Sequence, residues 1–268
     1  MDYAIETYML SKTFEENASG RSLPKQVLSD ITIAIPPGEI VALFGPSGSG
    51  KSTLLRLLAR ILLPDRETVN SRPTIVVHPD SAPGCAYMPQ DTRFVAARSL
   101  WHNVEIGARA AGTSRNELHR RIAEAIAMVD LGGYERESPA VFSGGMRQRL
   151  GLARVLAAKP SVLLLDEPLS SLDLLLRRSI ASRLRDYARR CDAAILLSTH
   201  TIEESVDVAD RIILLDGKPA TFTRSFGLTA LSSGASNQSL KHDICDTRAD
   251  LLARVYESLS ASDKSERR

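Results

Sequence analysis

The stretch GPSGSGKST, Gly45 to Thr53, leaves a chain like this few folds to choose from. It follows EIVALFG, Glu39 to Gly45, an apolar run without alternation, which suits a strand buried on both faces. It precedes KSTLLRLLARIL, whose apolar spacing is helical. Strand, glycine-rich turn and helix in immediate succession satisfy the pattern G-x-x-x-x-G-K-[ST] at Gly45, Gly50, Lys51 and Ser52. Physically, the glycines let Pro46, Ser47, Gly48 and Ser49 curl so that successive backbone N–H groups face one anion, and the helix adds its positive end. Lys51 is then expected to reach the β- and γ-phosphates of a nucleotide. Ser52 is expected to ligate Mg²⁺, with Thr53 beside it in the first turn. The loop implies nucleotide binding but leaves the class open, because small kinases, GTPases, ring ATPases and transport motors all use it.

Three further runs resemble the first strand: SVLLLDE, Ser161 to Glu167; AAILLSTH, Ala193 to His200; and RIILLDG, Arg211 to Gly217. Helical periodicity fills the intervals, in RNELHRRIAEAIAMVDL, MRQRLGLARVLAA, LLLRRSIASRLRDYARR and TIEESVDVAD. Strands alternating with helices predict an α/β fold around a parallel sheet. The interval from about Asp91 to Lys159 holds mostly helical periodicity between two strand-bearing halves and reads as an inserted lobe. After Thr221 the text turns into SFGLTALSSGASNQS, read as a polar linker, followed by a helix over TRADLLARVYESL and the charged tail SDKSERR.

At 268 residues the chain can bury a large core without disulfides. Cys85, Cys191 and Cys245 form no CxxC pair, which argues against a thiolate metal or redox site and for a reducing compartment. A formal charge of +2 gives no reason to expect nucleic acid as a partner. The apolar runs have strand length and fall short of the roughly 20 residues that span a bilayer. The N-terminus has no basic segment leading into an apolar one, so a secretory signal is not expected.

The strand VLLLDE ends in adjacent carboxylates, an arrangement that suits a buried strand only where a cation waits nearby. Asp166 is assigned to the Mg²⁺ shell and Glu167 to polarising the attacking water. A second glycine pair lies in FSGGM, ahead of a basic amphipathic run.

Taken as an ordered set, GPSGSGKST, the glutamine of YMPQD, FSGGM, VLLLDE, SSLD and STH resemble the ATP-binding cassette (ABC) ATPases, over about Tyr8 to Thr221. The resemblance implies a P-loop NTPase fold of the ABC type: a mixed-sheet core, N-terminal antiparallel strands and an inserted helical subdomain. It implies a catalytic domain over 1–222, with core 1–90 and 160–222 and helical subdomain 91–159, and a linker and appendage over 223–268. Gln90 is implied at the junction of core and lobe, touching Mg²⁺ or the attacking water. His200 is implied to hydrogen-bond the γ-phosphate and help hold Glu167. Ser143, Gly144 and Gly145 are implied to bind the phosphates of a second subunit's ATP, and Asp173 to contact that subunit. Phe14 matches the aromatic that stacks on adenine, with ordinary packing as its competitor.

The text is also similar to the branch that energises importers of nitrate, taurine and alkanesulfonates. On that reading the cassette hydrolyses ATP as a homodimer on the cytoplasmic face of the membrane, drives separate transmembrane permease subunits, and depends indirectly on a solute-binding protein. Its permease contact is expected in a groove around Gln90 to Val104, including Phe94, Leu100 and Trp101. The alternative is a soluble single-cassette ATPase acting in cofactor or complex assembly. Three departures stand out: Phe142 where leucine is commoner, Met146 where glutamine is frequent, and Thr201 where aspartate usually follows the histidine.

Overall fold

The computed structural model describes residues 3–18, 21–78, 84–228, 242–245, 249–250 and 252–257. Its core is a mixed sheet whose order is β6-β1-β2-β11-β10-β3-β9-β8-β7, with β12 pairing β11. The four runs read as buried strands are β3 (Ile40–Phe44), β8 (Val162–Asp166), β9 (Ala194–Thr199) and β10 (Arg211–Gly217). They lie side by side and parallel, with β7 (Cys85–Met88) extending them beyond β8. At the other edge, β1 (Ile5–Ala18) pairs antiparallel with β2 (Arg21–Ile35) and with β6 (Ile75–Val77). A small hairpin, β4 (Thr68–Val69) with β5 (Arg72–Pro73), lies outside this sheet.

The absence of alternation in the central strands has a simple cause. Alternate residues point to opposite faces, and both faces are covered. Ile40, Ala42, Leu163, Leu165, Ile195 and Leu197 join one apolar cluster. Val41, Leu43, Val162, Leu164, Ala194 and Leu196 join another on the far side. α1 (Lys51–Leu58) packs into the second cluster. Into the first pack the lobe helices α2 (Leu100–Ala110), α3 (Arg115–Met128) and α4 (Gly144–Leu156), together with α5 (Leu174–Cys191) and α6 (Ile202–Val208). No strand occurs among the described residues between β7 and β8, in keeping with the helical character expected of 91–159.

Strands β3 and β10 are clamped at the end remote from the glycine-rich loop. Arg211, 5% exposed, donates from Nε to Glu39 Oε1 at 2.8 Å and from a terminal nitrogen to Glu39 Oε2 at 2.7 Å. The same guanidinium reaches the Ala34 carbonyl at 2.7 Å, and Asp210 accepts from the Ile40 N–H at 3.0 Å. Burial pushes Glu39 above the usual carboxylate range, with Arg211 opposing it.

The boundary read after residue 222 needs correction. β11 (Ala220–Leu228) runs six residues further, antiparallel to β10, and the segment 225–228 read as the start of a linker is paired again by β12 (His242–Cys245). Phe226 is fully buried in the first cluster. The serine and glycine around it suggest a linker, yet they sit in a strand anchored by Phe226 in the first cluster and by Ala220 and Phe222 in the second. The rest of that linker, from residue 229, and the tail 262–268 lie outside the described residues. Residues 249–250 and 252–257 are helical, and Val255 is buried in the same cluster. α1 is also shorter than its periodicity suggests, turning at Arg60, whose φ is +58°.

Phe226→Ala should therefore lower stability by about 3–5 kcal/mol, the usual cost of deleting a buried aromatic side chain. Urea unfolding measures this directly. An unchanged midpoint would mean that the strand beyond residue 222 is dispensable to the core.

Candidate nucleotide-binding and hydrolytic site

In an open parallel sheet, ligands collect at the carboxyl ends of the strands, and here three adjacent strands deliver functional groups to one place. β3 leads into the glycine-rich loop, β8 ends in Asp166 and Glu167, and β9 ends in Ser198, Thr199 and His200. Register puts Asp166 beside Ser198 and Phe44 beside Thr199, so the three ends are level.

The loop depends on two glycines for different reasons. A Cβ at Gly45 would come within 2.2 Å of the Leu215 carbonyl oxygen, so strand β10 leaves no room for one. Gly50 has φ +84° at the cap of α1, where a Cβ would also meet Leu28 at 2.7 Å. Lys51 lies curled over its own loop, donating from Nζ to the carbonyls of Gly45 and Pro46, each at 2.8 Å. Burial lowers its pKa, opposed by Glu167 and Asp166.

A cavity of about 710 Å³ opens over this loop, lined by Ser47, Gly48, Gly50, Lys51, Ser52 and Thr53, by Gln90 and Glu167, and by Phe14 on β1. Its size is that of a small-molecule site. Phe14 is half-buried, with Lys12 Nζ 5.3 Å from its ring centre.

Asp166 is almost fully buried. It accepts from the Ser52 hydroxyl at 2.9 Å and from the Ser198 hydroxyl at 2.6 Å, both on Oδ1. A hydroxyl and a carboxylate side by side make a hard oxygen donor set, which fits Mg²⁺ completed by phosphate oxygens and water. Glu167 is gripped from two sides: Gln90 Nε2 donates to Oε2 at 3.2 Å, and His200 Nδ1 lies 3.3 Å from Oε1. Its backbone has φ +50°, a left-handed conformation that costs a non-glycine residue energy. The Glu167 N–H donates to Ser198 Oγ at 3.0 Å, so one serine fixes both carboxylates of the pair.

Of the residues expected from sequence, Gln90, Glu167 and His200 meet, as do Ser52 and Asp166. The second glycine pair does not join them: Ser143, Gly144, Gly145 and Asp173 are not among the residues lining the loop's cavity. Ser143 caps α4, accepting from the Met146 N–H at 3.2 Å. Asp173 caps α5, accepting from the Leu176 N–H at 3.0 Å. The two glycines differ. A Cβ at Gly144 would meet open space, whereas one at Gly145 would approach the Ser171 carbonyl oxygen to 2.9 Å. Gly145 thus lets α4 lie against the loop that follows Glu167.

Two residues were missed by sequence reasoning. Gln148 on α4 donates to the Glu167 carbonyl and, at 3.0 Å, to Ser170 Oγ, while its Oε1 accepts from the Ser171 N–H at 2.9 Å. Its sole signal is a place one turn beyond the glycine pair. Ser198 was read only as strand text. The departures also find partners. Phe142 is buried edge-on to Tyr134, with centroids 6.3 Å apart. Where aspartate is usual, the Thr201 N–H instead donates to Thr199 Oγ1 at 3.0 Å, and that hydroxyl donates to Glu204 Oε2 at 3.0 Å. In the expected permease groove, Leu100 is fully buried, a core residue and not a contact. Trp101 stacks on His119 at 4.7 Å, Phe94 lies under Arg154 at 5.1 Å, and Val95 is exposed.

Fold and site together define a P-loop ATPase in which the Glu167 carboxylate is held between Gln90 and His200. Residues 28–170 match the family described as ABC transporter. The taurine import ATP-binding protein TauB of Pseudomonas fluorescens Pf-5 is 35% identical over 90% of this chain and 92% of its own. The Fe(3+) ions import ATP-binding protein FbpC of Escherichia coli K12 is 38% identical over 78% of this chain and 61% of its own. Among solved structures, an ATP-binding subunit of an ABC transporter shares 25% identity, with TM-score 0.66 over 83% of this chain and 89% of that one. The dimeric cassette MJ0796 bound to ADP and Pi has the same fold, at 24% identity and TM-score 0.70 over 82% and 97%. The chain belongs to the ABC transporter family, and it is an ATP-binding, ATP-hydrolysing subunit of that kind.

Ser198→Ala would leave Asp166 and the Glu167 N–H each short of a partner. ATPase titrations with Mg²⁺ should show a requirement raised about 10- to 100-fold, the usual effect of losing a residue that orients a metal ligand. An unchanged Mg²⁺ requirement would remove Ser198 from the site.

Glu204 supplies a pH test. Burial raises its pKa, opposed by Thr199, Arg177 and His200, and its Oε1 has no hydrogen-bond partner among the described residues. Because the folded state holds the proton more tightly, its stability falls as pH rises from the unfolded value near 4.5 through the raised folded value. Glu204→Gln should therefore stabilise the protein at pH 7, with the gain vanishing below about pH 4. Thermal unfolding across that range reads it, and a gain that persists at low pH would contradict the assignment.

Proposed function

We propose that this chain is the ATP-hydrolysing subunit of an importer, working on the cytoplasmic face of the membrane with separate permease subunits. The solute is read as a small one such as taurine, another sulfonate or nitrate, delivered by a solute-binding protein. The convergence of Gln90 and His200 on the Glu167 carboxylate carries the hydrolytic part of this reading. The importer part rests on the relatives, whose printed names are those of import proteins. It is also compatible with the described residues containing no helix long and apolar enough to cross a membrane. Those names favour transport over the assembly-factor alternative.

Hydrolysis asks for positioning and charge neutralisation more than covalent chemistry. The loop N–H groups and Lys51 hold the phosphates, and Phe14 offers a face to the base. Ser52 and Asp166 would hold Mg²⁺, with Gln90 as a further ligand; bound there, the ion neutralises phosphate charge. Glu167 accepts a proton from the attacking water while Gln90 and His200 keep its oxygens in place, and His200 retains Nε2 for the γ-phosphate. Ser143 and the N–H groups of Gly144 and Gly145 would serve a second cassette's nucleotide, with Asp173 at the same seam. Two copies would then close head to tail around ATP and part after hydrolysis. The helical lobe, 91–159, would face the permease through Phe94, Val95 and Trp101.

Glu167→Gln should lower turnover at least 100-fold and convert the chain to an ATP-dependent dimer on size exclusion, since binding survives while the base is lost. Turnover equal to the parent's would reject Glu167 as base. Failure of the parent to co-purify with a polytopic membrane protein would reject the importer reading alone.

A further inference from the structure

A second cavity, of about 580 Å³, lies where the lobe meets the core, between α3, the end of α4 and α5. Arg120, Arg121, Lys159, Arg183 and Arg190 line it, against the single carboxylate of Glu124. Glu124 is held by Arg120 and Lys159, each at 2.8 Å. The remaining charge is less well matched. Arg183 donates only to the carbonyls of Ala127 and Met128, at 2.7 and 3.0 Å, and Arg190 to the carbonyl of Asp186 at 3.3 Å. Carbonyls fix a guanidinium without neutralising it. Among the described residues neither arginine has a carboxylate within ion-pair distance. Arg121 does pair with Glu117 at 3.2 Å, yet its Nε is buried without a hydrogen-bond partner. Met128, Leu156 and the buried Tyr187 supply an apolar wall.

We propose that this cavity is a second ligand site, taking a small organic polyanion with at least two negatively charged groups. The charged groups engage Arg183 and Arg190, where planar guanidinium forks suit phosphoryl and carboxyl oxygens alike. A less polar body lies against Met128 and Leu156. The volume is that of a small molecule and not of a macromolecular surface. A ligand seated there braces α3 against α5 and so ties the lobe to the core. The site is separate from the nucleotide loop, and its failure would leave the hydrolytic assignment intact.

The experiment is calorimetric titration of pyrophosphate, and separately of citrate, into the full chain kept saturated with ADP at physiological ionic strength, so that the loop at Gly45–Thr53 is already occupied. Saturable binding is expected, weakened at least tenfold by Arg190→Glu and by Arg183→Gln, and unaltered by Arg189→Gln, which changes an exposed arginine outside the cavity. Arg190 is exposed and donates to the Asp186 carbonyl within its own helix, so Arg190→Glu stays informative if Arg183→Gln disturbs the fold. Binding of pyrophosphate alone assigns a phosphorylated ligand, and binding of citrate alone a polycarboxylate. No saturable binding of either, or equal binding by Arg190→Glu, overturns the proposal.

Discussion

Everything in this molecule hangs on the burial of its central strands on both faces. Short of their carboxyl ends, β3, β8 and β9 have no position that can carry a charged group, because residues 40–43, 162–165 and 194–197 each point into one of two apolar clusters. Polar chemistry is thereby confined to the strand ends. At one end lies the Glu39–Arg211 clamp, and at the other the loop, the two carboxylates and His200. The level register of the three strands then sets distances of about one hydrogen bond among groups that are far apart in sequence.

That geometry gives the two carboxylates different surroundings, which suits the separate roles proposed for them. Asp166 is enclosed and held by the hydroxyls of Ser52, Ser198 and Tyr87, which suits a metal ligand. Glu167, one residue on, has left the strand through a left-handed turn and points both oxygens at side chains from other elements. Adjacent in sequence, they face different surroundings because the strand ends between them. Gln148 ties the carbonyl of Glu167 to α4, so the helix carrying the second glycine pair and the turn at Glu167 share one hydrogen-bond set.

What could be read from the sequence was whatever sits in a contiguous stretch. The glycine loop, the terminal carboxylates and the four buried strands are local patterns, and Gln90 and His200 followed from the order of motifs. Gln148 and Ser198 were illegible because they matter through partners 19 to 32 residues away that only folding brings near. β11 was misread for a different reason: Ser225 and Gly227 open a run of serine and glycine in the text that follows, while the buried Phe226 between them anchors the strand. Leu100 was misplaced because an apolar residue at the start of a lobe helix reads the same whether it faces a partner or the core.

The left-handed turn at Glu167 has a consequence beyond catalysis. Glycine would adopt that φ without strain, so a carboxylate stands where a simpler residue would suit the backbone better. A population of such chains selected for heat resistance alone would drift toward glycine there and lose its chemistry. On the reading of Glu167 as the hydrolytic base, the glutamate marks a point of conflict between durability and work.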